Sequence, residues 1–249
     1  MIRMALVEEI PDDVLEPALQ TNLGRALYNN PGLCLPFKAL ASGVHYESHL
    51  EPRLRELVVL RISAELRSDV EWGQHFRIAT TAEVYGKVSV SVAEARDIRD
   101  GKLEGFPLKE RIAMEYAMAF DKNAVDDEAW AQVSEHFATI EALDLTILAG
   151  VYGMACRLTN GLGVPMDDGI LPISAVDSLL ARAGSWHSVR SPASALRCGY
   201  RVVSGCTGSC EQPLSNHHHV LVKTIGLTDR RRRRRRTASA SSGVTLPEA

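Results

Sequence analysis

The sequence predicts an all-α chain of about eight helices, with no sheet and with a disordered C-terminal tail. Three observations carry this. Apolar residues recur at helical spacing in successive segments between Pro11 and Asn160. Over the same span nothing alternates apolar and polar residues as a half-buried strand does, and no Asn-Gly pair sits between two such stretches. Past about Ala183 the periodicity is lost and Ser, Gly, Arg and Ala dominate. The expected organisation is a helical domain over residues 1–173 and a low-complexity basic tail over 174–249. Leu171 to Ala183 has the makings of one further helix at the junction.

Taken in order, Pro11 and Asp12–Asp13 open a first helix with Val14, Leu15, Ala18, Leu19 and Leu23 at helical spacing. It ends near Asn29–Asn30, before Pro31 and Gly32. The second has Leu35, Phe37, Leu40 and Val44 as apolar positions, with His45 and His49 four residues apart at its end. Two imidazoles at that spacing can share a metal. No third ligand accompanies them, so a solvated helix end is the plainer reading. His45 or Tyr46 can still line a site, because this helix leads straight into the next pair.

That pair, from Leu50 to Gly86, is what the chain is organised around. Pro52 suits a first helical position, where its missing N–H has no partner to lose. Leu54, Leu57, Val58 and Ile62, with Val59, Leu60 and Ala64, make the third helix apolar on most sides and predict burial. Glu56 is the exception inside it, either an ion-pair partner of Arg53 or Arg61 or a functional carboxylate. The fourth helix opens at Ser68 or Asp69 and carries Glu71 and His75 on one face, continued by Ile78, Ala79 and Ala82. A carboxylate and an imidazole in apolar surroundings shift in pKa toward acid–base work. The plain alternatives are a capping box at Ser68-x-x-Glu71 and an ordinary core histidine at His75.

After Gly86, Ser91 reads as the N-cap of a short helix through Val92, Ala95 and Ile98, stopped by Gly101. Pro107 begins another, with Ile112, Ala113, Tyr116, Ala117 and Phe120 facing inward. Asp126–Asp127 caps the next, which carries Trp130, Val133 and Phe137. The last clear helix, Ile140 to about Asn160, is apolar almost throughout, and Gly150, Gly153 and Ala155 permit close approach of its neighbours.

The run RELVVLRISAELRSDVEWGQHFRIA resembles the signature helix pair of the carboxymuconolactone decarboxylase and alkylhydroperoxidase-D-like (AhpD-like) family. The resemblance spans about Leu23 to Asp168. Redox members of that family carry a Glu, then Cys-x-x-Cys, then a His four residues after the second Cys. The matching positions here are Glu56, Ser68, Glu71 and His75, so both thiols are absent. Peroxide reduction needs an attacking thiolate and a resolving thiol, which disfavours the alkylhydroperoxidase or peroxiredoxin-type activity. The Glu-Trp-x-x-His form resembles the non-redox, decarboxylase-like branch. The resemblance thus implies an AhpD-like bundle and a lyase decarboxylating a small carboxylated lactone or keto acid. Glu56, Glu71 and His75 would be catalytic, with Trp72, Arg61, Arg67 and Tyr46 about the substrate and neither metal nor cofactor. It also implies a homo-oligomer, a trimer or hexamer. A non-catalytic scaffold that kept the fold is the alternative.

Composition bounds the rest. Of 249 residues, 45% are hydrophobic and 24% charged, the balance of a soluble globular protein. No run approaches about eighteen uninterrupted apolar residues, so no membrane span is expected. The acidic N-terminus lacks a signal-peptide core, and a cytoplasmic protein is expected. The net charge of −3 conceals an asymmetry: residues 181–249 carry twelve Lys or Arg against three acidic residues, leaving the first 180 residues at −12. An acidic body argues against nucleic acid as its partner. Five sparse cysteines do not read as a disulfide framework, and Cys206, Cys210 and His217–His219 match no standard zinc spacing.

Overall fold

The computed structural model describes residues 2–8, 10 and 20–187, with side chains to residue 181. Nine α-helices and one 3₁₀ turn build the described residues, which contain no strand. In order they are α1 (Asn22–Leu27), α2 (Pro31–Tyr46), α3 (Pro52–Glu65), α4 (Asp69–Thr80) and α5 (Val92–Arg99). Then come α6 (Leu108–Asp121), α7 (Asp127–His136), α8 (Thr139–Leu162), the turn Ile173–Ala175 and α9 (Val176–His187). The all-α bundle expected from the sequence is the fold of the described residues.

Helix α3 is the axis of the bundle, packed on α4, α5, α6 and α8. Leu57, Val58, Val59, Leu60 and Ile62 are fully buried, as an all-round apolar helix requires. At its end Arg67 takes a left-handed conformation (φ 53°), which turns the chain into α4. Ser68 then caps α4, its Oγ accepting from the Glu71 N–H at 3.4 Å and meeting Thr159 Oγ1 of α8 at 2.9 Å. The cap is half of a capping box, because Glu71 Oε1 has no hydrogen-bond partner. α4 stops at Thr80, so Ala82, expected on its inner face, lies beyond the helix and is exposed.

Several elements follow the sequence closely. Ser91 caps α5 in a full capping box with Glu94, and Gly101 turns the chain at φ +72°. Asp126 caps α7. α6 buries Ile112, Ala113, Tyr116 and Ala117. Gly153 admits the Asp121–Arg157 ion pair, whose atoms a Cβ would meet at 2.9 and 3.0 Å. Helix α8 is long and apolar enough to cross a membrane, but it packs on α2, α3, α4, α6 and α7 and buries half of that apolar stretch.

Helix α2 differs from expectation. Leu35 and Leu40 face outward, and the buried positions are Cys34 and Val44. The inward stripe is therefore Cys34, Lys38, Ala41 and His45, one turn apart each. Trp130 of α7 is likewise half exposed. Val14, Leu15, Ala18 and Leu19 of the expected first helix lie outside the described residues; α1 begins at Asn22.

After α8 the chain folds back over α4. Asp167 accepts from the Asn22 N–H at 2.6 Å and from Gln74 Nε2 at 2.7 Å, and the Ile173 N–H donates to Asp69 at 3.0 Å. Packing continues past Ile173: Val176 is buried, and Asp177 of α9 pairs with Arg99 of α5. Residues 188–249, which hold most of the expected tail, lie outside the described residues.

Candidate active site

Glu56 comes from the middle of α3 and His75 from α4, nineteen residues on, and the two meet at 2.8 Å between Glu56 Oε2 and His75 Nδ1. Glu56 is fully buried and His75 is 4% exposed. The other carboxylate oxygen of Glu56 accepts from the Tyr85 hydroxyl at 2.8 Å. Tyr85 lies in the turn after α4, so this short segment fixes the acid from a third direction. Both oxygens are committed, as a buried carboxylate requires.

The charges follow from that geometry. Burial works to raise the Glu56 carboxyl, but the facing His75 ring and its hydrogen bond outweigh it and hold Glu56 below the ordinary carboxylate range. Burial works to lower His75, but the Glu56 charge and hydrogen bond outweigh it and raise the imidazole. Each group thus favours the charged form of the other, with Nδ1 facing Glu56 and Nε2 directed away from it.

The Glu71 carboxyl is shifted the other way. Burial raises its carboxyl, against the lesser pull of His75 and Lys38, and Oε1 has no partner. Two carboxylates one helix apart are thus driven apart in pKa, which is how a fold separates an ionised group from a proton-carrying one.

Glu71 and His75 open on a cavity of about 300 Å³ among α2, α4, α8 and the segment after α8. Its polar lining includes Lys38 and His45 of α2, Gln74 of α4, Tyr152 of α8 and Asp167. The His45 ring stacks on His75 at 5.3 Å, and the Tyr152 ring meets His75 edge-on at 4.8 Å. Burial, and then the charge on His75, push His45 down to about 4, so it is neutral.

The expected triad Glu56, Glu71 and His75 is therefore brought together, and the exposed Tyr46 stands among the lining residues. The other expected contacts are not at the cavity. Trp72 is fully buried and stacks on Phe76 at 5.9 Å. Arg61 bonds Glu65 and lines a different hollow with Gly101 and Leu103. Arg67 is exposed at the α3–α4 turn. The ion-pair reading of Glu56 also falls, since Arg53 binds Glu94 and Glu110 instead. His49 is a solvated partner of Asp144 past the end of α2, while its neighbour His45 turns inward.

Sequence reasoning missed Lys38, Tyr85 and Tyr152. Lys38 had a readable signal, because it lies two turns before His45 on the same face of α2. Tyr85 had none, since its place depends on how the turn after α4 folds back.

His45, Glu56 and His75 each offer one possible ligand atom within 4.8 Å of the others. A metal there would compete with the bonds that Glu56 already makes to His75 and Tyr85, so this donor set fits an acid–base pair better than a metal.

The thiols stand apart from this chemistry. Cys34 is buried at 3.9 Å from the Gly24 carbonyl. Cys156 is buried 3.7 Å from Ser63, and burial pushes its thiol up to about 12. Neither is a thiolate near neutral pH.

Residues 35–85, which hold Glu56, Glu71 and His75, match the model of the carboxymuconolactone decarboxylase family. The segment that carries the candidate site is thus similar to that family. The fold agrees. An uncharacterized peroxidase-related protein from Silicibacter sp. TM1040 superposes with a TM-score of 0.56 at 14% identity, covering 67% of this chain and 92% of its own. A cysteine-to-alanine variant of the debrominase Bmp8, in complex with 2,3,4-tribromopyrrole, gives 0.55 at 16%, covering 73% and 99%. The alkylhydroperoxidase AhpD core protein from Ralstonia eutropha JMP134 gives 0.51 at 17%, covering 67% and 93%. No protein among those with curated functions matches the chain.

Proposed function

We propose that this carboxymuconolactone decarboxylase/AhpD-like chain is an acid–base enzyme of the decarboxylase-like kind, acting on a small carboxylated lactone or keto acid. The observation that carries this is the buried Glu56–His75 pair opening on a cavity whose second carboxyl, Glu71, is buried with Oε1 unpartnered among the described residues and is raised by that burial.

The chemistry uses each group once. The bond from carbon to the departing carboxylate breaks, CO2 leaves, and its electron pair passes into the adjacent carbonyl as an enolate. Neutral Glu71 donates a hydrogen bond to the developing oxyanion. His75 delivers the Nε2 proton to carbon, and Glu56 holds the ring in orientation and balances its charge. His75 is then reprotonated through the cavity. A departing carboxylate beside a neutral acid and the apolar Val151 and Ile170 is poorly solvated, which favours its loss. Bmp8 takes a small ring compound on a similar fold, in keeping with a site of this size.

The family's thiol chemistry is disfavoured by Ser68, buried against Thr159, and by Glu71. The test is CO2 release from 4-carboxymuconolactone, run beside hydroperoxide reduction with a thiol reductant. Wild type and a Cys34→Ala/Cys156→Ala variant should release CO2 alike, and neither should reduce hydroperoxide above background. No CO2 release by a folded wild type, or hydroperoxide turnover lost with Cys156, would overturn the reading.

A further inference from the structure

The cavity holds a cation that the proton-transfer chemistry leaves unused. Lys38 projects from α2 into the same space as Glu71 and His75 and makes no hydrogen bond or ion pair among the described residues. The acids nearest to it do not engage it. Both oxygens of Asp167 are occupied by Asn22 and Gln74. Glu71 Oε1 is buried and bonded to nothing, beyond ion-pair distance of the ammonium. A largely desolvated ammonium with no partner among the described residues costs free energy unless something supplies a negative charge. The second unpaired group, on Glu71, marks the same place as built to receive polar atoms.

We propose that Lys38 is the substrate-anchoring and specificity-determining residue of this cavity, holding a spectator anionic group while a second group reacts between Glu71 and His75. The inference rests on the acid–base reading of the site and adds a requirement to it. A carboxylate paired with Lys38 is stabilised as a carboxylate, so it is not the one that leaves. The ligand therefore carries two anionic groups, one read by Lys38 and one lost in the neutral part of the cavity. Burial is the largest influence on Lys38 and lowers it from the ordinary ammonium range. The arginines expected from sequence to fill the role lie elsewhere.

Succinate and its dimethyl ester, which carries no carboxylate, are the probes. Calorimetric titration of wild type should show saturable succinate binding at millimolar concentration and binding of the ester weaker by roughly ten- to a hundredfold, the value of a hydrogen bond to a charged group. Lys38→Met keeps the stem and removes the charge, and should abolish the preference for succinate. In wild type alone, succinate should slow reductive methylation of Lys38 as read by mass spectrometry, which holds whether or not the variant folds. His75→Gln should lose turnover yet keep succinate binding, so failure of the anchor and failure of the acid–base reading give different results. Equal binding of both probes, unprotected Lys38, or absence of succinate binding at tens of millimolar overturns the proposal. So does borohydride trapping of Lys38 on a keto acid, which would make it a Schiff-base nucleophile.

Discussion

At the scale of residues, the account turns on which protons are held and where. Replacing His75 by Ala strands the fully buried Glu56 with only the Tyr85 hydroxyl, and should cost roughly 3–5 kcal/mol of stability by urea titration. His75→Gln keeps a donor toward Glu56 but cannot pass a proton on, so it should fold and lose about a hundredfold in turnover. His45 gives a separate signature. Its folded pKa lies near 4, below the ordinary value of 6.5, so the folded state resists the proton that the unfolded chain accepts. Its neutral form adds no penalty above pH 6.5, and stability should fall as pH drops from 6.5 toward 4, by at most roughly 3 kcal/mol. His45→Phe should flatten that stretch of the curve in chemical denaturation at stepped pH. A slope unchanged by the substitution would place the acid sensitivity on other groups.

At the scale of elements, the site depends on α4 being clamped between α3 and the segment after α8. Gly73 is where that clamp is tightest, since a Cβ there would meet the Leu171 carbonyl at 2.9 Å and Ile170 at 3.0 Å. Gly73→Ala should destabilise by roughly 1–3 kcal/mol, measured by denaturant midpoint, because backbone cannot yield as a side-chain tip does. This clamp was not legible in the sequence, where Gly73 is one small residue beside Trp72. The helices themselves were legible wherever local chemistry decides them: Pro52 and Ser68 open α3 and α4, and Ser91 with Glu94 caps α5. The facing of α2 was not. Its apolar residues occupy two sides, and only packing against α8 decides that Cys34, Lys38 and His45 turn in while Leu35 and Leu40 turn out. The acidic pair and its histidine were readable because polar groups stand out on apolar faces. The basic anchor was misread for the opposite reason, since arginines are common and Arg61 and Arg67 looked as eligible as Lys38.

At the scale of the whole molecule, every contact that builds the cavity among the described residues lies within residues 20–175, so a chain ended at Ala193 should melt within a few degrees of the full-length protein. A large drop on scanning calorimetry would show that residues past 193 contribute to the fold. What joins the bundle to its proposed function is one charge arrangement: His75 raised by its bond to Glu56, facing a Glu71 raised by burial. Nitrogen-15 NMR of the histidine side chains, followed through a pH titration, reads it directly. The account predicts that both His75 nitrogens carry protons at pH 7 while His45 carries one, and that Glu56→Gln returns His75 to the neutral form. A wild-type His75 that is already neutral at pH 7, or that keeps its proton without Glu56, would contradict it.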